Sequence, residues 1–168
     1  STTNNLTRQK DVAFAVTTYV EEVRMAVKAN SGIKSIKDLA GKTVATTTGT
    51  TSVQTLRKNE RANGIDFKEV MGKDHADSFL LLESGRADAF VMDDVLLYGL
   101  AANRPDPKAL KVVGRFVTTE PLAIMLPKND PEFKKLVDEE MRRLIVSNEI
   151  NAIYDKWFLQ PIAPTNRA

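Results

Sequence analysis

The strongest constraint on the fold is an alternation of short β-branched runs and amphipathic segments between residues 42 and 113. Residues 42–46 form one such run, a loop of small residues follows, and an amphipathic segment then extends to about Glu60. The order returns when a helical segment over 75–84 leads into the apolar run 87–92. Strands that alternate with helices are typical of an α/β unit, for which we predict a largely parallel sheet.

Three details of this α/β unit can be compared directly with a structure. We expect the second strand to begin at Val70, after the turn signal Asn63-Gly64. Gly85 should occupy the C′ position of the helix over 75–84, where a positive φ favours glycine. We also expect that helix to turn three apolar side chains inward: Phe79, Leu80 and Leu82.

The segments on either side of this unit predict further strands and helices. Residues 12–28 are rich in β-branched and aromatic residues and predict a strand pair or one interrupted strand, and Pro121–Leu126 predicts another strand. Asp130 should cap a helix that has Pro131 at its first position. Two apolar helical faces follow, made of Phe133, Leu136, Val137, Met141, Leu144 and Ile145, and then of Ile150, Ile153, Tyr154, Trp157 and Phe158.

Charge and cysteine content argue against several classes of protein. The 24 Lys and Arg residues nearly balance 22 Asp and Glu residues, and they are scattered, which argues against nucleic acid as a partner. The absence of cysteine excludes a disulfide scaffold and thiolate metal sites, but it leaves the cellular compartment open. No apolar run approaches the roughly 18 residues that would span a bilayer.

Polar residues collect where the predicted strands end. The loop Gly49-Thr50-Thr51-Ser52 connects a strand to a helix, so its backbone N–H groups could hold a carboxylate or phosphate. On this loop alone, ordinary N-capping is the preferred explanation. His75 and Asp93 lie at the same predicted edge. His75 could instead be a surface or capping residue, and Asp93 or Asp94 could be the N-cap of the helix that follows.

The sequence offers little for catalysis. A single histidine without cysteine argues against a metal site, and no nucleophile-elbow motif is present. The acidic pairs, such as Glu139-Glu140, are adjacent in sequence, so their side chains do not face one another. We therefore expect a protein that is not an enzyme and that uses no cofactor and no metal.

The chain resembles the polar amino-acid family of periplasmic solute-binding proteins, and most closely its glutamate- and aspartate-binding members. The resemblance spans nearly the whole sequence, in family order. Its most specific parts are Phe14 six residues after Arg8 and the aspartate that ends DAFVMD. The segments that carry it are STTNNLTRQK (1–10), DLAGKTVA (38–45), TGTTS (48–52), KDHADSF (73–79), LESGRADAFVMDD (82–94) and YDKWF (154–158).

The resemblance implies a role for residues of both lobes of such a protein. In the first lobe, Arg8 would clamp the ligand α-carboxylate, and Ser1 and Thr3 would contact the groups around the α-carbon. In the second lobe, Thr50 and Thr51 would hold carboxylate oxygens at a helix N-terminus.

The acidic-ligand branch implies two further contacts. Asp93 would pair with the ligand α-ammonium, and His75 would pair with the side-chain carboxylate. Because that second pairing favours a protonated imidazole, the affinity should fall at high pH.

The resemblance also implies a type II periplasmic-binding-protein fold. Residues 24–120 would form a complete second lobe, and residues 1–23 and 121–168 would supply the hinge crossings and the later part of the first lobe. On this interpretation the chain is truncated, and it should self-associate because apolar helix faces and sheet edges would be uncovered. Such proteins close two lobes around a ligand in the periplasm and deliver it to the permease subunits of an ABC importer.

Two alternative functions are compatible with the same fold. The chain could be the ligand-sensing domain of a receptor or sensor kinase, which a transmembrane segment in the flanking sequence would identify. It could also be a dehydratase-type enzyme, which a product assay would reveal.

Overall fold

The computed structural model describes residues 2–116 and 118–159 and contains two compact units. One unit, here called the inserted unit, is Glu21–Thr119, and the other, the flanking unit, consists of Ser1–Val20 and Glu120–Ala168. The expectation that they correspond to the two lobes of a binding protein stays a prediction.

The inserted unit is built on a five-stranded sheet with helices on both faces. Its elements, in chain order, are β4 (Val23–Lys28), β5 (Thr43–Thr47), α1 (Thr51–Asn63), β6 (Lys68–Gly72), α2 (His75–Glu83), β7 (Ala89–Asp93), α3 (Asp94–Ala102) and β8 (Leu110–Val113). The strand order in the sheet is β6-β5-β7-β4-β8. Strand β6 begins at Lys68, two residues before the predicted start at Val70.

The sheet is mixed: four of its five strands run in one direction, as the predicted largely parallel sheet requires, and β4 runs against them. Strand β5 pairs in parallel with both β6 and β7, whereas β4 pairs antiparallel with both β7 and β8. The helical crossovers fix the common direction of β5, β6, β7 and β8, as the alternation predicts. Strand β4 precedes this alternation and leads to β5 through a loop with a short 3₁₀ turn at Ile36–Leu39, so the pattern could not indicate its direction.

Side chains alternate across β4 and fill both faces of the sheet. Val23, Met25 and Val27 lie on one face, in a cluster that includes Leu56 of α1, and Ala26 lies on the other. The second face packs against α2 and α3 through Phe79, Phe90, Met92, Leu82 and Leu97, all essentially inaccessible to solvent. The unit therefore has a core on each side of the sheet.

Helix α2 buries only a narrow stripe of its surface against the sheet. Phe79 and Leu82 are fully buried, but 57% of Leu80 is exposed, so the prediction that Leu80 turns inward is wrong. Leu80 lies about 100° around the helix from Phe79 and about 200° from Leu82, and only one stripe of a short helix can face the sheet. Gly85 has φ +74° and follows the helix as predicted.

The flanking unit contains short strands followed by helices. Its elements are β1 (Thr2–Thr3), β2 (Ala13–Phe14), β3 (Tyr19–Glu21, whose last residue is counted in the inserted unit), β9 (Glu120–Ala123), β10 (Met125–Leu126), α4 (Pro131–Val146) and α5 (Glu149–Tyr154), with a π-helical turn at Asp155–Leu159. The strands form a sheet in the order β1-β9-β3 and a separate β10-β2 pair. The predicted strand Pro121–Leu126 is thus two strands that break at Ile124, because its halves pair with different partners.

Helix α4 begins as predicted and is attached through a buried carboxylate. The Asp130 side chain accepts a hydrogen bond from the Phe133 N–H, and Pro131 occupies the first turn. Asp138 Oδ1 accepts from the Val16 N–H at 2.8 Å, and its Oδ2 accepts from Lys134 Nζ. Burial opposes ionisation of Asp138, but these two hydrogen bonds and the positive charges of Lys134 and Arg142 together outweigh it and lower the pKa of the carboxyl. The bond to Val16 fixes α4 to the N-terminal segment.

Much of the predicted apolar surface of the C-terminal helices is exposed in this chain. The large apolar side chains with at least two-fifths of their area open to solvent are Phe133, Leu136, Ile145, Val146, Ile153, Trp157, Phe158 and Leu159. Phe158 stacks between Tyr19 and Tyr154 at ring distances of 5.0 and 4.8 Å. This exposure is compatible with the predicted self-association, which stays a prediction.

Gly72 supplies a test of the inserted unit's packing. A Cβ at this position would lie 2.2 Å from Ser78 Oγ and 2.5 Å from the Ser78 backbone nitrogen, so the first turn of α2 would have to move. We expect Gly72→Ala to lower the free energy of unfolding by about 1–3 kcal/mol, measured by urea denaturation.

The matched control is Gly32→Ala. A Cβ there meets no described heavy atom within 4 Å, and Gly32 does not have a positive φ. Its effect should stay within about 0.5 kcal/mol. Equal stability of the two variants would contradict the close approach of β6 to α2.

Candidate functional site

Three parallel strands of the inserted unit end at one edge of the sheet. Strand β5 ends at Thr47, β6 at Gly72 and β7 at Asp93. A helix begins within a few residues of each strand end, so three helix N-termini collect there. Because a helix N-terminus carries unpaired N–H groups and partial positive charge, this edge suits a negatively charged group.

The loop before α1 has a side-chain arrangement unlike ordinary capping. Thr50 occupies the N-cap position, but its hydroxyl donates to the Thr47 carbonyl at 2.8 Å, and among the described residues it makes no capping bond to the helix. Gly49, with φ +78°, allows the chain to turn between strand and helix. Thr51 is the first residue of α1 and is half-buried. The preferred explanation from sequence, simple side-chain N-capping, therefore does not describe Thr50.

Asp93 places a carboxylate inside this edge. It is 7% exposed, ends β7 opposite Val23 of β4, and precedes α3 without a side-chain capping bond among the described residues. Its neighbour Asp94 accepts from the Val95 N–H at 2.8 Å. The Ser52 hydroxyl lies 3.5 Å from Asp93 Oδ1, at the long limit for a hydrogen bond. A buried carboxylate of this kind can pair with a cationic group.

His75 lies at the same edge, at the first residue of α2. Its Nδ1 lies 3.1 Å from Thr47 Oγ1, and the side chain is half-buried. Asp74, not His75, caps the helix, by accepting from the Asp77 N–H at 2.8 Å. The alternative role of His75 as a capping residue is therefore wrong.

Two hydroxyl residues of this edge are absent from the sequence-based candidates. Thr47 is 3% exposed, and its Oγ1 lies 2.8 Å from the Oγ of Ser78, which is fully buried. The available signal was the position of Ser78 on the inward stripe of α2, beside Phe79 and one turn after His75. A polar residue on a buried stripe indicates a specific hydrogen-bond partner.

The flanking unit holds the other predicted residues. Arg8 lies in a 3₁₀ turn, where its Nη1 donates to Thr2 Oγ1 at 2.8 Å and to the Thr3 carbonyl at 3.0 Å. Thr3 is buried in β1 and lies opposite Leu122 of β9. These bonds hold the Arg8 guanidinium against β1. Ser1, also predicted as a ligand contact, lies outside the described residues.

Neither a metal centre nor a membrane helix emerges from the described part of the chain. Residues 2–116 and 118–159 contain no group of three or more His, Cys, Asp or Glu side chains placed to hold a metal ion. Among the same residues, no helix has both the length and the apolar character needed to cross a bilayer.

Comparison with curated proteins finds close relatives along almost the whole chain. It is 46% identical over 166 residues to the glutamate/aspartate import solute-binding protein of Salmonella typhimurium. It is 44% identical over 164 residues to the L-glutamate/L-aspartate-binding protein of Pseudomonas aeruginosa. These matches cover 99% and 98% of this chain but only 55% and 54% of the relatives, so the chain spans about half of their length.

Structural comparison and family comparison agree with these relatives. An ancestral arginine-binding protein bound to glutamine has a TM-score of 0.83 and 29% identity, over 95% of this chain and 69% of that one. The fold is thus a type II periplasmic-binding-protein fold, as the resemblance implied. The model of the bacterial extracellular solute-binding proteins, family 3, matches residues 1–160. The chain therefore belongs to family 3 of the bacterial extracellular solute-binding proteins.

Proposed function

We propose that this chain binds an acidic amino acid, glutamate or aspartate, as part of the periplasmic solute-binding component of an ABC importer. The observation that carries the proposal is the convergence of His75, Asp93 and the α1 N-terminus at one edge of the β5–β6–β7 sheet. The names of the relatives from Salmonella typhimurium and Pseudomonas aeruginosa, at 46% and 44% identity, support the choice of ligand.

The inserted unit supplies three kinds of ligand contact in this proposal. Thr50 and Thr51 hold carboxylate oxygens at the start of α1, because the helix dipole there favours negative charge. The Thr50 hydroxyl, which donates to the Thr47 carbonyl in the chain without ligand, exchanges that bond for one to the ligand. Asp93, buried at the strand end, pairs with the α-ammonium group. His75 pairs with the side-chain carboxylate of the ligand, and this contact makes the site discriminate between acidic ligands and the corresponding amides.

The flanking unit supplies the remaining contacts. The Arg8 guanidinium binds the α-carboxylate, since its planar fork matches two carboxylate oxygens. Its bonds to Thr2 and Thr3 reduce the conformational entropy lost on binding. Ser1 and Thr3 complete the contacts around the α-carbon. The ligand is released unchanged to the permease subunits, so we propose no turnover.

Replacement of Asp93 tests the pairing with the ligand ammonium. Asp93→Asn keeps the shape of the side chain but removes its charge, which leaves a buried ammonium unpaired. We expect the dissociation constant for glutamate, measured by isothermal titration calorimetry, to rise by at least about 30-fold.

Asp94→Asn is the matched control for this variant. Asp94 lies one residue further on and bonds its own helix through the Val95 N–H, so this change should leave affinity within about threefold. Equal losses in the two variants would contradict the role of Asp93. Failure of the unaltered chain to bind either acid, or conversion of either acid to a product, would overturn the proposed function.

Replacement of His75 tests the choice between acid and amide. His75→Gln removes the group that can carry a positive charge but keeps a polar side chain at the start of α2. Glutamate affinity should fall about tenfold or more, whereas glutamine affinity should change little, both by calorimetry. A similar loss for both ligands, or an unaltered chain that prefers glutamine to both acids, would contradict this assignment.

A further inference from the structure

A chain of hydrogen-bonding groups runs from His75 into the interior of the inserted unit. His75 Nδ1 lies 3.1 Å from Thr47 Oγ1, which lies 2.8 Å from Ser78 Oγ. Ser78 Oγ in turn lies 2.9 Å from the Thr46 carbonyl and 3.0 Å from the Asp74 carbonyl. Thr47 and Ser78 are buried, so water does not readily replace these partners.

Counting protons fixes the direction of every bond in this chain. The Ser78 hydroxyl has one proton and faces two carbonyl oxygens that can only accept, so the proton is used there. Ser78 Oγ must then accept from the Thr47 hydroxyl. Since Thr47 also has a single proton, its oxygen must accept from His75, and His75 Nδ1 must be the donor.

If the hydrogen bonds ran in the reverse direction, the Ser78 hydroxyl oxygen would face two carbonyl oxygens without a proton between them. If Thr47 donated to His75 Nδ1, Ser78 would have to donate to Thr47. Two backbone carbonyls would then lie about 3 Å from a hydroxyl lone pair without a proton between them. The Asp74 carbonyl would still accept from the Ser78 N–H, but its oxygen and the Thr46 carbonyl oxygen would face the lone pairs of Ser78 Oγ. At a buried site this electrostatic repulsion disfavours the reverse direction.

We propose that Thr47 and Ser78 are positioning residues that fix His75 as the tautomer with its proton on Nδ1, so that Nε2 is the ring atom offered to a ligand. The neutral ring therefore presents an acceptor at Nε2, and only the imidazolium presents a donor there. How the state of Nε2 affects the choice of ligand rests on the proposed function. The tautomer itself is a property of the chain without ligand.

Thr47 also contacts the loop before α1 through its backbone carbonyl. The Thr47 carbonyl accepts from both the hydroxyl and the N–H of Thr50. One residue at the end of β5 thus orients the loop before α1 through its backbone and the His75 ring through its side chain. A ring that is held at Nδ1 also loses less conformational entropy when Nε2 engages a ligand.

The single histidine makes the tautomer directly measurable. Long-range ¹H–¹⁵N correlation spectra of the ¹⁵N-labelled chain, without ligand, contain one imidazole, and its pattern distinguishes the two neutral tautomers from the imidazolium. At a pH where the spectrum shows a neutral ring, the Nδ1–H form should be enriched at least about fivefold over a short histidine peptide. This is the factor that one ordinary net hydrogen bond supplies.

Substitutions identify the residues that fix the ring. Ser78→Ala removes the acceptor of the Thr47 proton, so Thr47 can donate to Nδ1 and the population should move toward Nε2–H. Thr47→Val should give the peptide-like mixture, and Thr47→Ser should restore the Nδ1–H form. Thr48→Val is the matched control, because that hydroxyl donates to the Gly72 carbonyl at the same edge, and its removal should leave the tautomer unchanged.

Several results would overturn the proposal. A ring that is mainly Nε2–H or peptide-like in the unaltered chain would do so, as would an unchanged population in a folded Ser78→Ala variant. If Thr47→Val does not fold, the unaltered spectrum and Thr47→Ser still decide the question. Because no ligand is present, failure to bind glutamate is a separate result that tests only the proposed function.

Discussion

Parallel pairing of β5 with both β6 and β7 is the constraint on which the rest of the site depends. It brings three strand ends, and the helices that follow them, to one edge of the sheet. The edge stays compact because β6 ends in Gly72, which has no Cβ to displace the first turn of α2. Thr47 then connects the loop before α1 with His75. The backbone thus brings the helix N-termini to this edge, and side chains such as Thr47 orient the loop and the ring that lie there.

The sequence predicts the elements of the inserted unit better than their arrangement. Its alternation of strands and helices predicts the common direction of β5, β6, β7 and β8, but not which of these strands pair. It gives no indication of the direction of β4, which no helical crossover connects to the sheet. Leu80 shows the same limit, because apolar character alone cannot say which stripe of a short helix faces the core. At Ile124 the strand breaks where its pairing partner changes, which depends on residues far away in the chain.

The sequence also identifies some residues of the candidate site and not others. Position at a strand end sufficed to select Thr50, His75 and Asp93, because parallel strands bring their ends together. Their assignment to particular ligand groups rests on the family resemblance. The sequence did not identify Thr47 and Ser78 as site residues, because hydroxyl residues are common in strands and at helix starts. Their role becomes visible only when the structure places the two buried hydroxyls side by side.

The central claim is that this edge of the inserted unit contacts an acidic amino acid. Titration of the ¹⁵N-labelled chain with glutamate, followed by backbone amide shifts, tests it most directly. The account predicts that the largest saturable shifts in the inserted unit fall in the loop 47–52, at the start of α2 and around Asp93, with little change at the opposite ends of the strands. Shifts confined to other parts of the unit, or no saturable shift at this edge, would contradict it.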